Sequence, residues 1–281
     1  MNRLTNVLVV GLLAGVAPLV GSAADAPALQ SAGHVLYLGN EGVMIAHERV
    51  TVLFDPLFNE SFGQYQLVPD AIRTAMFSAA PPFAHIDAVF VSHFHDDHFS
   101  PMDMLRMLRA HGETTLYAPA QAVAVMRRNA EAGDDPVLAR ISGLDLDYGD
   151  SPVTIRAGEL TIEAVHVPHS GWPTARTDVQ NIAFRVTFGN DGTVLHLGDA
   201  DPRLVHFSTQ EDYWESRQID LALPPYWFFS AEEGVDIVEN YLNAAKAIGI
   251  HVPEAFRDPG NIPAALSNAE LFTRPGESRA F

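Results

Sequence analysis

Six consecutive residues, His93-Phe94-His95-Asp96-Asp97-His98, carry three imidazoles and two carboxylates. Neutral imidazole and ionised carboxylate are the donors that borderline divalent cations such as zinc, manganese and iron accept. The spacing has a geometric use. At the extended end of a strand, His93 and His95 stand two residues apart and can grip one ion, while Asp97 and His98 turn toward a second. The apolar run from Ile86 to Val91 reads as a buried strand, and Ser100-Pro101 reads as a helix N-cap followed by proline at the first helical position. The cluster is therefore expected on a strand-to-helix loop, where side chains converge freely. The bland alternative is a solvated polar loop.

The stretch His93 to His98 resembles the signature of the metallo-β-lactamase superfamily, whose fold is a four-layer αββα sandwich of two β-sheets between helices. The resemblance implies further site residues in chain order. Asp55, closing a strand at Asp55-Pro56, matches an aspartate that holds the metal loop through hydrogen bonds. In Val165-His166-Val167-Pro168-His169, two histidines compete as third ligand of the first ion. His166 lies inside a strand run and His169 at its exit, and loop position favours His169. Gly198-Asp199 resembles the motif whose aspartate bridges both ions, with Gly198 allowing close backbone approach. His251, in Ile248-Gly249-Ile250-His251-Val252-Pro253, resembles the late histidine that completes the second ion; a buried core histidine is the alternative. The implied metal set is His93, His95, Asp97, His98, His169, Asp199 and His251, which uses five of twelve histidines. The likeness spans residues 34–255. Tyr37-Leu38-Gly39-Asn40 and His251-Val252-Pro253 look most like the lactonase-related branch that includes ascorbate-6-phosphate lactonase.

The elements that must position these residues follow from the pattern. Residues 34–38, 42–46 and 50–54 are β-rich runs separated by turns, an antiparallel meander. Residues 57–85 form a long irregular insertion with a short helix near 70–77, and Phe58, Phe62, Tyr65 and Phe77 could line a pocket mouth or merely pin the loop. Beyond the histidine loop come a helix at 101–110, a strand at 115–118, a helix at 120–130, a polar break at 131–135, and hairpins over 153–167 and 181–197. A strand at 220–224 leads into Tyr226-Trp227-Phe228-Phe229. Ser230 then opens a helix with capping-box spacing that runs to about residue 247, followed by a short strand at 248–253. The tail from 254 reads as a surface wrap. His85, His196 and Asp201 are expected outside the metal set, Asp201 as a cap or surface residue.

Composition bounds the function. The chain has 281 residues, 47% hydrophobic, enough for one large domain or two small ones. A formal net charge of −18 argues against a nucleic-acid partner, because phosphate binding needs concentrated Lys and Arg. With no cysteine there is no disulfide, thiolate ligand or thiol nucleophile. Residues 1–26 read as a signal peptide: Arg3, an apolar segment from Val7 to Val20, then small residues. That apolar segment is short for a membrane span, which needs about 20 residues, although an uncleaved anchor reaching Ala24 is the alternative. Residues 27–281 are expected to form an exported, periplasmic hydrolase domain with no stable membrane insertion after cleavage.

The expected chemistry is hydrolysis of a small ester, lactone, amide or phosphodiester by a hydroxide held on two divalent ions, zinc before manganese or iron. Asp97 doubles as the residue that holds or accepts the nucleophile's proton. Trp172 and the 226–229 aromatics are expected near the ions, which implies a substrate with an apolar part. The competing class is a non-catalytic binding protein that keeps the fold and its metals.

Overall fold

The computed structural model describes residues 33–281; the expected leader lies outside the described residues. The meander forms as read: β1 (His34–Gly39), β2 (Gly42–His47) and β3 (Val50–Phe54) pair antiparallel in sequence. After α1 (Asp70–Phe77) the chain enters β4 (Ala88–Phe90), which lies parallel to β3. Helix α2 (Pro101–Ala110) leads to β5 (Thr115–Pro119). Helices α3 (Ala120–Asn129) and α4 (Asp135–Leu138) then lead to β6 (Ile141–Leu144), a parallel edge strand that the sequence pattern did not disclose. Ile141-Ser142-Gly143-Leu144 is too short and too polar to declare itself.

The second sheet starts with the hairpin β7 (Val153–Ala157) and β8 (Leu160–His166), continues through β9 (Ile182–Phe188) and β10 (Asp191–His196), and ends with β11 (Leu221–Leu223) parallel to β10. Strand orders are β12-β1-β2-β3-β4-β5-β6 and β11-β10-β9-β8-β7, where β12 is Ser278–Ala280. The C-terminal tail is thus no surface wrap. It adds β12 antiparallel to β1 and buries Leu266 and Phe272, because an unpaired β1 edge offers backbone groups that a returning strand satisfies.

Period-two alternation sets the layers. Val35, Tyr37, Val52, Phe54, Ala88 and Phe90 point inward against Ile162, Phe184, Val186 and Val194 of the second sheet. Their neighbours Leu38, Leu53 and Val89 point outward, under Met104 and Leu108 of α2 and Met126 of α3. On the far side Val165, Ala183 and Leu195 face Phe207, Trp214 and Phe228, carried by α5 (Val205–Ser208), α6 (Glu211–Glu215) and the 226–229 turn. The result is helices, sheet, sheet, helices. Among the described residues no helix is long and apolar enough to cross a membrane.

Two local expectations fail for identifiable reasons. Helix α7 (Glu232–Asp236) has Ala231 at its N-cap with no side-chain cap, since the Ser230 hydroxyl donates to the Trp227 carbonyl instead. The helix continues as a wide π turn over Ile237–Tyr241 and stops short of residue 247. Asn243 adopts φ 48°, and residues 244–247 bridge to the β11 edge, with Ala222 donating its N–H to the Lys246 carbonyl. Sheet pairing there outcompetes helix propensity. The expected strand at 248–253 consists of isolated bridges, Gly249 to Leu271 and Pro225 to Ile250.

Candidate metal centre

Loops leaving β4, β8 and β10 emerge at one edge of the sandwich and meet there. Val91 to Ser100 after β4 carries the histidine cluster; its helix α2 is capped as expected, with the Ser100 Oγ accepting from the Asp103 N–H. Asp55 underlies this loop. Its Oδ1 accepts the Ser92 N–H at 2.7 Å, and its Oδ2 accepts from the Ser92 hydroxyl and lies 3.0 Å from His98 Nδ1. A proton on His98 Nδ1 shared with this carboxylate leaves the Nε2 lone pair free to face the cluster. His169 is fixed the same way, its Nδ1 lying 2.9 Å from the Ser170 carbonyl.

The seven residues of the implied set come together in two groups. His93, His95, His169 and Asp199 form one, and Asp97, His98 and His251 form the other, with donor atoms within 4.8 Å of one another in each. Asp199 faces both. Its Oδ2 lies 3.1 Å from His169 Nε2 and 3.9 Å from His93 Nε2, and its Oδ1 lies 3.2 Å from His251 Nε2 and 3.4 Å from His98 Nε2. Asp97 Oδ2 closes the second group at 3.5 Å from His251 and 3.7 Å from His98. A tetrahedral ion bound at about 2.1 Å separates its donors by about 3.4 Å, which these contacts bracket.

Charge and satisfaction tell the same story. Asp199 Oδ1, His98 Nε2 and His251 Nε2 are buried with no hydrogen-bond partner, the groups a cation would satisfy. Burial works to lower the affinity of His98 for a proton, yet Asp199 and Asp97 overcome it and raise its pKa well above the ordinary imidazole range, a pull toward positive charge that a cation at Nε2 would answer in the proton's place. Burial alone would raise the Asp199 carboxyl, but His251 and His98 hold it well below the usual carboxylate range. Burial, reinforced by His169 and His98, pushes His95 down to about 4, so it is neutral and able to ligate at pH 7. The donor set fits two divalent cations.

A further buried group, Glu41, Asp55 and His196, does not. His196 lies 3.1 Å from the Glu41 carbonyl through Nε2 and accepts from the Gly198 N–H through Nδ1, so no ring lone pair is spare. His196 stacks on Phe54 and joins the two sheets beneath the site. Neither carboxylate oxygen of Glu41 has a hydrogen-bond partner, and burial raises its carboxyl well above the ordinary range.

Several supports were not legible in the sequence. Asn181 donates to the Val167 and Leu197 carbonyls and accepts the Asp199 N–H, tying the β8 and β10 exits together. Asn40, at φ 44° in the β1–β2 turn, donates to the Asp97 carbonyl. Its Gly-Asn-Glu-Gly setting signals a turn, and only packing shows what the amide grips. Asp201, expected as a cap or surface residue, is buried. It accepts the Gly171 N–H and faces His206, whose Nδ1 lies 2.8 Å from the Tyr148 hydroxyl. Trp172 is also corrected: it packs edge-on against His206 and Tyr148 instead of facing the cluster. His85 pairs with Asp87 at the surface, as expected of a residue outside the set.

Above the donors opens a cavity of about 700 Å³ lined by His95, Asp97, Asp199, His251 and the side chains Phe62, Tyr65, Phe94, Trp227, Asp96 and Arg176. Phe62 and Tyr65 come from the long insertion, as expected, whereas Phe58 is core and Phe77 packs under Arg106. Phe228 is core as well, and Trp227 is tethered by its indole N–H to the Ala200 carbonyl. Tyr65 sits edge-on over His251; burial, with the Asp199 charge, pushes its phenol up to about 12, so it stays a neutral donor.

His169 and His166 have separable fates here. His166 lies 2.9 Å from the Leu146 carbonyl and takes no part in either donor group. His169→Ala should weaken metal retention by more than the 10–100-fold typical of losing an outer partner. His166→Ala should cost about 1 kcal/mol of stability and no metal. Elemental analysis of both variants checks this, and the reverse pattern would exchange their roles.

The same fold occurs in solved structures. The metallo hydrolase Igni18 of Ignicoccus hospitalis superposes with TM-score 0.56 at 15% identity, covering 89% of this chain and 98% of that one. An isothiocyanate hydrolase from Delia radicum gut bacteria gives 0.58 at 12%, covering 88% and 99%. CmlA, a diiron β-hydroxylase of Streptomyces venezuelae, gives 0.52 at 14%, covering 89% of this chain and 54% of that one. No curated protein sequence matches the chain. The family model described as the Beta-lactamase superfamily domain matches residues 50–253, from the third strand to just past His251, and the chain belongs to that family.

Proposed function

We propose that this protein is a hydrolase that holds two divalent cations, zinc foremost, between His93, His95, His169 and Asp199 on one side and Asp97, His98, His251 and Asp199 on the other. The observation that carries this reading is Asp199, which turns one carboxylate oxygen to each donor group. When bound, such ions supply Lewis acidity and lower the pKa of water toward about 7. The chain's own residues do the rest. Asp97, at the rim of both the cluster and the cavity, holds or accepts a proton from the attacking water. Tyr65 offers a neutral hydroxyl to an oxygen that gains charge. Asp55, Asn40 and Asn181 keep the donors from moving during turnover.

The substrate class is a small ester, lactone, amide or phosphodiester with an apolar part. Phe62 supports that last feature: it lies 57% exposed at the cavity rim, where a large apolar side chain gains nothing from water. The apolar leader supports export, so that the enzyme would work in the periplasm. A complete donor set favours turnover over a purely binding role.

Elemental analysis with a chelation and add-back assay on a panel of esters, lactones and amides tests the reading. Two equivalents of metal and chelator-reversible hydrolysis are expected, and the element recovered decides zinc against iron or manganese. Metal-independent hydrolysis, or none on any substrate, would sink it. Phe62→Ala should raise KM for apolar substrates several-fold while metal content holds, and Trp172→Ala should leave KM unchanged. Equal effects from the two would remove the assigned wall.

A further inference from the structure

The cavity that faces the donor groups contains one fixed cationic side chain, Arg176. It stands on the loop that follows His169, seven residues beyond that histidine. Its Nη1 donates to the Ser170 carbonyl at 3.2 Å, which fixes the guanidinium against the loop's own backbone. Among the described residues its Nε and Nη2 have no hydrogen-bond partner, and no carboxylate pairs with it. The guanidinium is exposed to the cavity, so this edge is open to a ligand. Arg176 also holds φ at 55°, a left-handed conformation that costs a non-glycine residue about 1 kcal/mol.

A guanidinium edge with two parallel N–H donors matches the two oxygens of a carboxylate. The rest of the cavity narrows the ligand further. Phe62, Phe94 and Trp227 give it apolar walls, so the anionic group belongs to a molecule with a hydrocarbon or aromatic body. Asp96, also on the cavity wall, and the overall charge of −18 oppose a second or third negative charge.

Building on the hydrolase reading above, we propose that Arg176 is a specificity-determining residue: the substrate carries a single carboxylate, gripped by the Nε–Nη2 edge, at the far end of an apolar body from the bond that is cut. The enzyme is then selective for monoanionic acyl compounds, such as hemiesters, amides of dicarboxylic acids or carboxylated lactones, over their neutral analogues.

Two measurements on the metal-loaded full chain test this. In kinetics, para-nitrophenyl hydrogen glutarate is compared with para-nitrophenyl valerate, which has the same reacting ester and lacks the carboxylate. A charge-assisted bidentate contact is worth roughly 10–100-fold. Wild type should favour the hemiester by at least about 10-fold in kcat/KM, Arg176→Gln should abolish the preference, the loss falling on KM for the hemiester, and Arg176→Lys should restore part of it. In calorimetric titration, phenylvalerate should bind about 10-fold tighter than phenylvaleramide, and Arg176→Gln should erase that ratio. Equal handling of the charged and neutral members of both pairs, or a preference that survives Arg176→Gln, overturns the proposal. The failures are distinguishable: Arg176-dependent binding of phenylvalerate with no ester hydrolysis refutes the hydrolase reading alone, and hydrolysis of both esters indifferent to Arg176 refutes the anchor alone.

Discussion

Asp199→Ala is expected to lose hydrolysis by on the order of a thousand-fold or more and to drop metal content from two equivalents to one or none. On the two-cation reading, removing Asp199 would take a negative ligand from each ion and leave His93, His98, His169 and His251 without the carboxylate that both donor groups face. A cation's Lewis acidity is worth several kcal/mol, and each 1.36 kcal/mol is about tenfold in rate. Asp199→Asn keeps one oxygen acceptor but no charge, so it should retain one ion weakly and fall between. Elemental analysis alongside initial rates checks both variants. Two equivalents and wild-type rates in Asp199→Ala would show that the carboxylate bridges nothing.

Gly198→Ala should damage the protein more than any other single methyl group at the site. Gly198 sits at φ 56°, and a Cβ there would lie 2.3 Å from Asn181 Oδ1 and 2.6 Å from the Ser92 Cβ. The conformational cost is about 1–2 kcal/mol and the overpacking cost about 1–3 kcal/mol. Together they should lower Tm by roughly 5–15 °C at this chain length. Because Asn181 also accepts the Asp199 N–H, the clash should displace the Asp199 carboxylate and weaken metal retention in the fraction that folds. A calorimetric scan with elemental analysis reads both effects. A Tm within about 2 °C of wild type with full metal content would mean that the loop yields without cost and that close approach at Gly198 is not needed.

The stretch from His93 to His98 was readable because its donors lie within six residues, and a strand followed by an N-capped helix leaves few ways to present them. Asp55, His169, Asp199 and His251 were readable through likeness to a family motif, and each stands at a strand exit or, for His251, in a left-handed turn at φ 58° where the backbone leaves the β11 edge. The strands were equally plain as β-rich runs, but Val52-Leu53-Phe54 and Val43-Met44-Ile45 are apolar throughout, and only packing sorts them into inward and outward faces.

What the order of residues determined by itself was the donor chemistry and the places of most strands and turns, because ligand type and β-rich composition are local properties of the chain. What only the tertiary structure decided was which distant groups hold those donors and what the cavity above them carries. Asn40 reaches Asp97 across 57 residues, and Asn181 reaches Asp199 across 18. Asp201 is drawn inside by His206 and a backbone N–H, and Trp172 turns away from the donor groups. The π turn and early stop after α7, the β12 strand of the tail and the exposed fork of Arg176 belong to the same group. Each depends on pairing between segments far apart in sequence, where the energy of satisfying a backbone group or a charge outweighs the local propensity that a sequence reading weighs.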